Sequence, residues 1–245
     1  MAGTNAVEPP ATDAIWNLTG DAKRAAVQAM FSEIAPRYDG LNRLMSLSRD
    51  QVWRAEAVRM LQLEPGQIAL DLCTGTGDFL PLLRQAVGAS GTVIGLDLTV
   101  PMLSVAARKF TDPLVQADAI QLPVGTAQCD AVTVGWGIRN VPDIDAAHRE
   151  IARVLRSGGR FVSIDMAMPR SVPMRALSRF LFKSVVPRLG AWVGAKTAYT
   201  YLPESTERFW TREQLADSMR SAGFSEIVTQ DRMFGNICIH YGRKA

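Results

Sequence analysis

From Gln67 onward the chain repeats one pattern. A short apolar run with no wet face is followed by a longer segment whose apolar positions recur every three or four residues. The runs are QIALDLC (67–73), GTVIGLDL (91–98), PLVQADA (113–119), CDAVTVGWG (129–137) and RFVSIDMA (160–167). Near-continuous hydrophobicity over so few residues predicts strands buried on both faces of a parallel sheet. The segments between them predict helices. GDFLPLLRQAV carries Pro81 in its first turn, VPMLSVAARKF follows the second strand, and DIDAAHREIARVLRSGG stops at Gly158–Gly159. No strand pattern occurs from Met168 to Phe209. TREQLADSMRSAGF then reads as a helix with a capping box at Thr211 and Gln214. EIVTQDRMFG and ICIHYGRKA read as a closing antiparallel pair. The order predicts an α/β fold: a Rossmann-like, doubly wound, mostly parallel seven-stranded sheet with an antiparallel last strand. Ligands then belong at the carboxyl ends of the strands.

The first third differs. Helices are expected from about Ala22 to Met30 and from about Arg49 to Leu61, with Pro36 and Asp39–Gly40 interrupting between them. The chain is therefore divided into a loose tail over 1–21 and one domain over 22–245. That domain carries a helical N-terminal lid (22–62) and a helical insertion (168–210).

Composition narrows the class. Of 245 residues 47% are hydrophobic and 21% charged, an ordinary globular balance. The 27 Lys+Arg are scattered among 24 Asp+Glu, which argues against a nucleic-acid partner, whose binders carry a denser basic stripe. Cys73, Cys129 and Cys238 are far apart in apolar settings. They are expected to be buried thiols of a cytoplasmic protein and suggest neither a disulfide framework nor a metal site. The first residues lack the pattern of a secretory signal, and no apolar run of about 18 residues predicts a membrane span.

The candidate chemistry starts at DLCTGTGD. Gly75 and Gly77 allow a sharp turn and close approach of a ligand. Leu80 stands where a dinucleotide fingerprint needs its third glycine, and no lysine supports a phosphate loop. Instead Asp71 and Asp78 bracket the loop, and carboxylates suit a cationic ligand. Asp97 ends the second strand twenty residues after Gly77, with Leu98 beside it, where an acid can accept both hydroxyls of a ribose. Asp118 ends the third, where it can meet an adenine amino group. Diol, amine and cationic amino-acid tail together describe S-adenosyl-L-methionine.

Beyond the loop, the blocks FSEIAPRYDGLNRLMS, DLTVPML, GWGIRNVPD, RVLRSGGRF, YTYLPESTERF and IHYGRK resemble the ubiquinone/menaquinone-biosynthesis C-methyltransferases, a class I S-adenosylmethionine-dependent family. The resemblance runs from Met30 to Lys244. It implies C-methylation of a polyprenylated quinol, of naphthoquinol or benzoquinol type, with cofactor contacts at Thr76, Asp97, Asp118, Ala119 and Gly135. Four positions depart from the family pattern. Asp50 stands for a usual histidine, Thr74 for glycine, Thr99 for asparagine and Gly135 for serine.

Such a reaction needs the reduced quinol, whose ionised hydroxyl pushes charge onto the ring carbon. Arg139 is expected to stabilise that oxyanion with Asn140 fixing it, the alternative being that Arg139 braces its loop. Tyr38 is expected to reach the methionine end from the lid. His240 is expected to accept the quinol proton, against the alternative of a satisfied structural histidine. His148 is expected to be surface or packing. Tyr201 and Glu204 line the substrate side or anchor the insertion. Residues 173–196 interleave cations with Leu177, Phe180, Leu181 and Trp192. They are expected either to rest on a membrane or to pack on their own domain, and a homodimer is left open. The rival readings are another small-molecule or RNA methyltransferase on this fold, and a non-catalytic S-adenosylmethionine-binding scaffold.

Overall fold

A computed structural model describes residues 15, 17–185 and 196–245. Most of the expected tail lies outside them, as do Arg188, Leu189 and Trp192 of the 173–196 stretch.

Seven strands form one sheet in the order β3-β2-β1-β4-β5-β7-β6. They are β1 (Ile68–Leu72), β2 (Thr92–Asp97), β3 (Leu114–Gln116), β4 (Cys129–Gly135), β5 (Leu155–Met166), β6 (Phe224–Arg232) and β7 (Ile237–Lys244). β1 pairs in parallel with β2 and β4, while β7 runs antiparallel to both β5 and β6. The strand order reverses between β1 and β4, and a ligand crevice opens at such a reversal.

The alternation within each strand sorts the core. Leu70, Leu72, Val132, Val134 and Phe161 pack on one face with α6 (Ile144–Val154) and α9 (Arg212–Ser221). Ala69, Ala131, Val162 and Ile164 pack on the other with α3 (Arg49–Met60) and α4 (Leu80–Val87). Neither face of the central strands β1 and β4 is wet, which explains why their sequences show little polar alternation. The Thr211 box is formed: Gln214 N donates to Thr211 Oγ1 at 3.2 Å and Thr211 N to Gln214 Oε1 at 2.8 Å.

Two boundaries move. Helix α2 (Tyr38–Ser46) runs through Gly40, where an interruption was expected. Pro36 lies in the 3₁₀ turn Ala35–Arg37 before it, where its missing N–H costs nothing, and Asp39 sits in the helix's first turn. At the other boundary, α6 ends at Val154 and not at the double glycine. Leu155 already pairs with Cys129, so the sheet captures the segment that helical periodicity claimed.

Ahead of the sheet, α1 (Gly20–Ile34) and α2 pack toward the carboxyl ends of the strands. After β5 come α7 (Val172–Phe180), a π turn (Leu181–Val185) and α8 (Lys196–Glu207).

Candidate functional site

A cavity, open to solvent on one side, follows the carboxyl edge of the sheet from β3 to β4. Small-molecule sites of α/β sheets lie in such crevices.

β1 delivers the glycine loop to this edge. Thr74 N donates to Leu96 O, and Gly77 N to Thr74 O, both at 2.9 Å, which closes the turn. Gly77 has φ +88°, and a Cβ there would lie 2.7 Å from the Phe110 ring, so no other residue fits. Asp97 holds the loop from the next strand. Its Oδ2 accepts Gly75 N and its Oδ1 accepts Thr99 N, each at 2.8 Å. Burial pushes its carboxyl up, while the backbone N–H groups pull it back. Gly75, Asp97, Leu98, Asp118, Ala119, Gly135, Asn140 and Tyr38 all line the cavity.

Asp71, Thr76, Gly77, Arg139 and His240 do not line it. Asp71 is 1% exposed behind the loop and accepts from Thr74 Oγ1 at 2.6 Å and Thr133 Oγ1 at 2.7 Å. It fixes the loop from beneath. Asp78 faces Arg54 Nη2 at 3.4 Å. Thr76 Oγ1 donates to Asp39 Oδ1 at 2.5 Å, which ties the loop to α2. Lys109 Nζ reaches the other oxygen of Asp39 at 2.7 Å. Burial raises the Asp39 carboxyl, but these two donors outweigh it and hold it below its ordinary value.

Arg139 corrects an expectation. It follows β4 in the 3₁₀ turn Ile138–Asn140 and is buried. Its Nη1 donates to Asp165 Oδ1 at 2.5 Å and to Trp136 O at 2.9 Å. Burial works against its charge, and the Asp165 carboxylate overcomes this and keeps it protonated. Asp165 also accepts Met166 N. This geometry is a brace. Asn140, next in the chain, does reach the wall: its Nδ2 donates to Trp136 O at 3.2 Å and its Oδ1 accepts Tyr201 OH at 3.0 Å. Tyr201 is 2% exposed, and burial pushes its hydroxyl up to about 12. Burial also raises Tyr38, on which Asn42 places a hydrogen bond and Arg139 and Arg54 a positive field.

His240 lies in β7 opposite Ser163, 2% exposed, with Nε2 at 3.2 Å from Arg212 O. Its partners are on the α9 side of the sheet, so the structure gives it the structural role. His148 is equally buried, with Nδ1 at 2.8 Å from Ser218 Oγ. Burial lowers both imidazoles to about 4.

These three buried groups set an acid response. Each histidine is neutral in the fold but protonates when unfolded below its ordinary 6.5, so its stabilising contribution is lost as pH falls from about 6.5 to 4. Burial raises Asp71 from 3.8 to about 7, so its contribution has the opposite sign and stability falls as pH rises through that window. Asp71→Asn is therefore expected to steepen the rise of the denaturant midpoint between pH 4 and 6.5. An unchanged slope in urea titrations at several pH values would show that Asp71 titrates normally.

Sequence reasoning missed several residues. Arg24 and Gln28 line the cavity from α1: Arg24 Nε lies 2.8 Å from Asp118 Oδ2, and Gln28 Nε2 donates to Leu98 O at 3.0 Å. Their i, i+4 spacing on one helix face was the available signal. Asp165, an acid ending a buried strand, carried the signal that identified Asp97. Trp136 lines the cavity with φ +53°, and nothing local marks that conformation.

The donor set fits S-adenosylmethionine. Asp97 and Asp118 present acceptors, Leu98, Met102 and Ala119 offer an apolar slot, and the backbone turn has no phosphate-binding lysine. Among the described residues no cluster could hold a metal ion, and no helix is long and apolar enough to cross a membrane.

Comparison with known proteins agrees. A demethylmenaquinone methyltransferase from Roseiflexus sp. is 41% identical over 228 residues, covering 91% of this chain and 95% of that one. One from Desulfitobacterium hafniense is 36% identical over 238 residues, covering 94% of each. Among solved structures, a SAM-dependent methyltransferase from Thermotoga maritima superposes with a TM-score of 0.64 at 21% identity, over 89% of this chain and all of the other. A phosphoethanolamine N-methyltransferase from Haemonchus contortus, in complex with S-adenosylhomocysteine, gives 0.57 at 14%, over 78% and 52%. These last two speak to the fold, that of class I methyltransferases. The family model described as ubiE/COQ5 methyltransferase matches residues 19–244, and the chain belongs to that family.

Proposed function

We propose that the chain methylates a ring carbon of a polyprenylated quinol with S-adenosylmethionine, and that demethylmenaquinol is the substrate. The observation that carries the reading is the turn after β4. The GIRNV block places Asn140 in the cavity wall and a charged arginine directly behind it. The names of the relatives favour the naphthoquinol over the benzoquinol.

Asp97 would hold the ribose hydroxyls, Asp118 the adenine amino group, and Gly75 and Gly135 the backbone side of the methionine tail. When bound, S-adenosylmethionine supplies a methyl group on a cationic sulfur. Asn140 is fixed by Trp136 O and Tyr201, which leaves its second N–H to donate to the quinol oxygen. Arg139 acts from behind: its positive field, with that of Arg54, reaches the Tyr38 side of the cavity and favours the ionised quinol. Tyr38 packs from α2 and excludes water from the reacting pair. α1 and α2 serve as the lid, latched by Arg24–Asp118, Gln28–Leu98 and Asp39–Lys109.

The quinol's tail favours a bilayer. Pro173, Ala176, Leu177 and Phe180 are exposed on α7, as is Leu181 at the start of the π turn, and no acidic residue occurs between Asp165 and Glu204. Such a face suits an anionic lipid surface.

The test is methyl transfer to chemically reduced demethylmenaquinone, with product identified by mass spectrometry. The product is expected to require the reductant. The rate is expected to be higher from anionic than from neutral vesicles at low salt. Cofactor binding without product from naphthoquinol or benzoquinol would overturn the reading in favour of a scaffold. Equal rates from the two vesicle types would remove the lipid contact alone.

A further inference from the structure

Trp136 follows β4 directly and holds a left-handed backbone that bulky residues rarely adopt. It is pinned on both sides. Its N–H donates to Ile164 O at 2.7 Å, and its carbonyl accepts from Arg139 and Asn140. Strain held this firmly beside a cavity is characteristic of working residues.

The indole has an unusual neighbour. Arg54, 4% exposed, lies with Cζ 4.5 Å from the Trp136 ring centroid and 5.3 Å from that of Phe79. Phe79 occupies the space beside Gly135: a Cβ there would lie 2.8 Å from its ring. The missing side chain at 135 is thus what admits Phe79 to this stack. Asp50 at 3.7 Å and Asp78 at 3.4 Å supply counter-charge, yet Arg54 Nε and Nη1 are buried without a hydrogen-bond partner among the described residues. The guanidinium is thus held both by two carboxylates and by the faces of two rings.

A cation on one face of an aromatic ring draws π-electron density toward itself. Trp136 lines the cavity and Arg54 does not, so the ring suits an electron-rich partner on the cavity side. A quinolate is such a partner, since its negative charge spreads onto the carbon that receives the methyl group. A two-ring nucleus overlaps an indole in an offset stack more fully than a one-ring nucleus does.

We propose that Trp136 is the platform on which the reacting ring stacks, and that Arg54 acts through it as a positioning residue that favours the ionised, two-ring quinol. This rests on the quinol methyltransferase reading and names the part of the site that selects the nucleus.

The experiment compares wild type with Trp136→Phe, Trp136→Leu and Arg54→Met. It measures kcat and KM for short-tailed naphthoquinol and benzoquinol across pH. It also measures binding of a tail-less naphthoquinol by calorimetry with S-adenosylhomocysteine present. Trp136→Leu is expected to raise KM for the naphthoquinol by about tenfold and erase its advantage over the benzoquinol, while Trp136→Phe stays within about threefold. Arg54→Met is expected to leave KM nearly unchanged, lower kcat about tenfold and move the rise of kcat with pH to higher pH. An unchanged KM in Trp136→Leu overturns the platform. A loss in Arg54→Met that is equal for both quinols, with no movement of the pH profile, reduces Arg54 to a packing residue. If wild type methylates no quinol, the functional reading fails, and the binding arm still decides: equal affinity of wild type and Trp136→Leu overturns the platform, and loss in the variant supports it.

Discussion

Asp97→Ala is expected to lower S-adenosylmethionine affinity by 100-fold or more (about 2.7 kcal/mol). The carboxylate has two duties. It would accept the ribose hydroxyls, and it already accepts Gly75 N and Thr99 N at 2.8 Å. Each hydrogen bond to an ionised acceptor contributes about 1.5–3 kcal/mol, and the variant removes several together. It also frees the glycine loop from β2, so the apo protein should lose stability as well. Asp118→Ala serves as the contrast. Its Oδ2 pairs with Arg24 on α1 and its Oδ1 accepts Ile120 N just after β3, and neither partner belongs to the glycine loop. A loss of only about tenfold is expected there, in line with one hydrogen bond. Calorimetric titration of both variants checks this. Similar affinities for Asp97→Ala and wild type would mean that the cavity takes its ligand in another orientation.

Arg139→Ala is expected to cost about 3–5 kcal/mol of folding stability, because it leaves Asp165 as an uncompensated buried carboxylate. That is a large part of the ~5–15 kcal/mol that holds a typical domain together. The same change removes a donor to Trp136 O and loosens the turn that carries Asn140, so turnover and cofactor affinity should fall together. The pair Arg139→Met with Asp165→Leu separates charge from architecture. Removing both charges is expected to recover most of the stability, since apolar replacements of buried ion pairs are often neutral. Activity should stay low, because the positive field behind Asn140 is gone. Thermal melts and turnover of the single and the double variant check this. An Arg139→Ala protein with wild-type melting and cofactor affinity but no turnover would mean that the arginine swings out to touch substrate directly.

The consequences of these two substitutions differ because the residues were legible to different degrees. Asp97 is announced locally: an acid ending a buried strand, one βα unit after a glycine turn, has few other uses. The strands themselves were legible for the same reason, since burial on both faces leaves a continuous apolar run. The Thr211 cap and the capping-box partner three residues later were equally local. Gly40 misled because a glycine tolerated in a helix looks the same in sequence as one that ends it. Gly158–Gly159 misled because pairing with β4 begins at Leu155, and no local pattern reports a partner strand.

The candidate site divides along the same line. Tyr38, Gly75, Asp97, Leu98, Asp118, Ala119, Gly135 and Asn140 were named from the chain and line the cavity. Arg139 and His240 were named with them, yet the fold turns both inward. Sequence shows that an arginine stands in a loop after β4. It does not show that Asp165, 26 residues later, waits beside it on the next strand. Nor does it show that His240 faces the α9 side of the sheet, because in an antiparallel strand buried on both sides neither face is marked by polarity. The chain alone therefore determined the class of fold, the glycine loop and the placing of Asp97 and Asp118 at the strand ends that border the cavity, all of which depend on neighbours within a few residues. The tertiary structure decided which charges meet, which face a histidine takes and which aromatic ring an arginine covers. Those depend on contacts between residues far apart in the chain, where burial makes a charge seek whatever partner the packed sheet brings near.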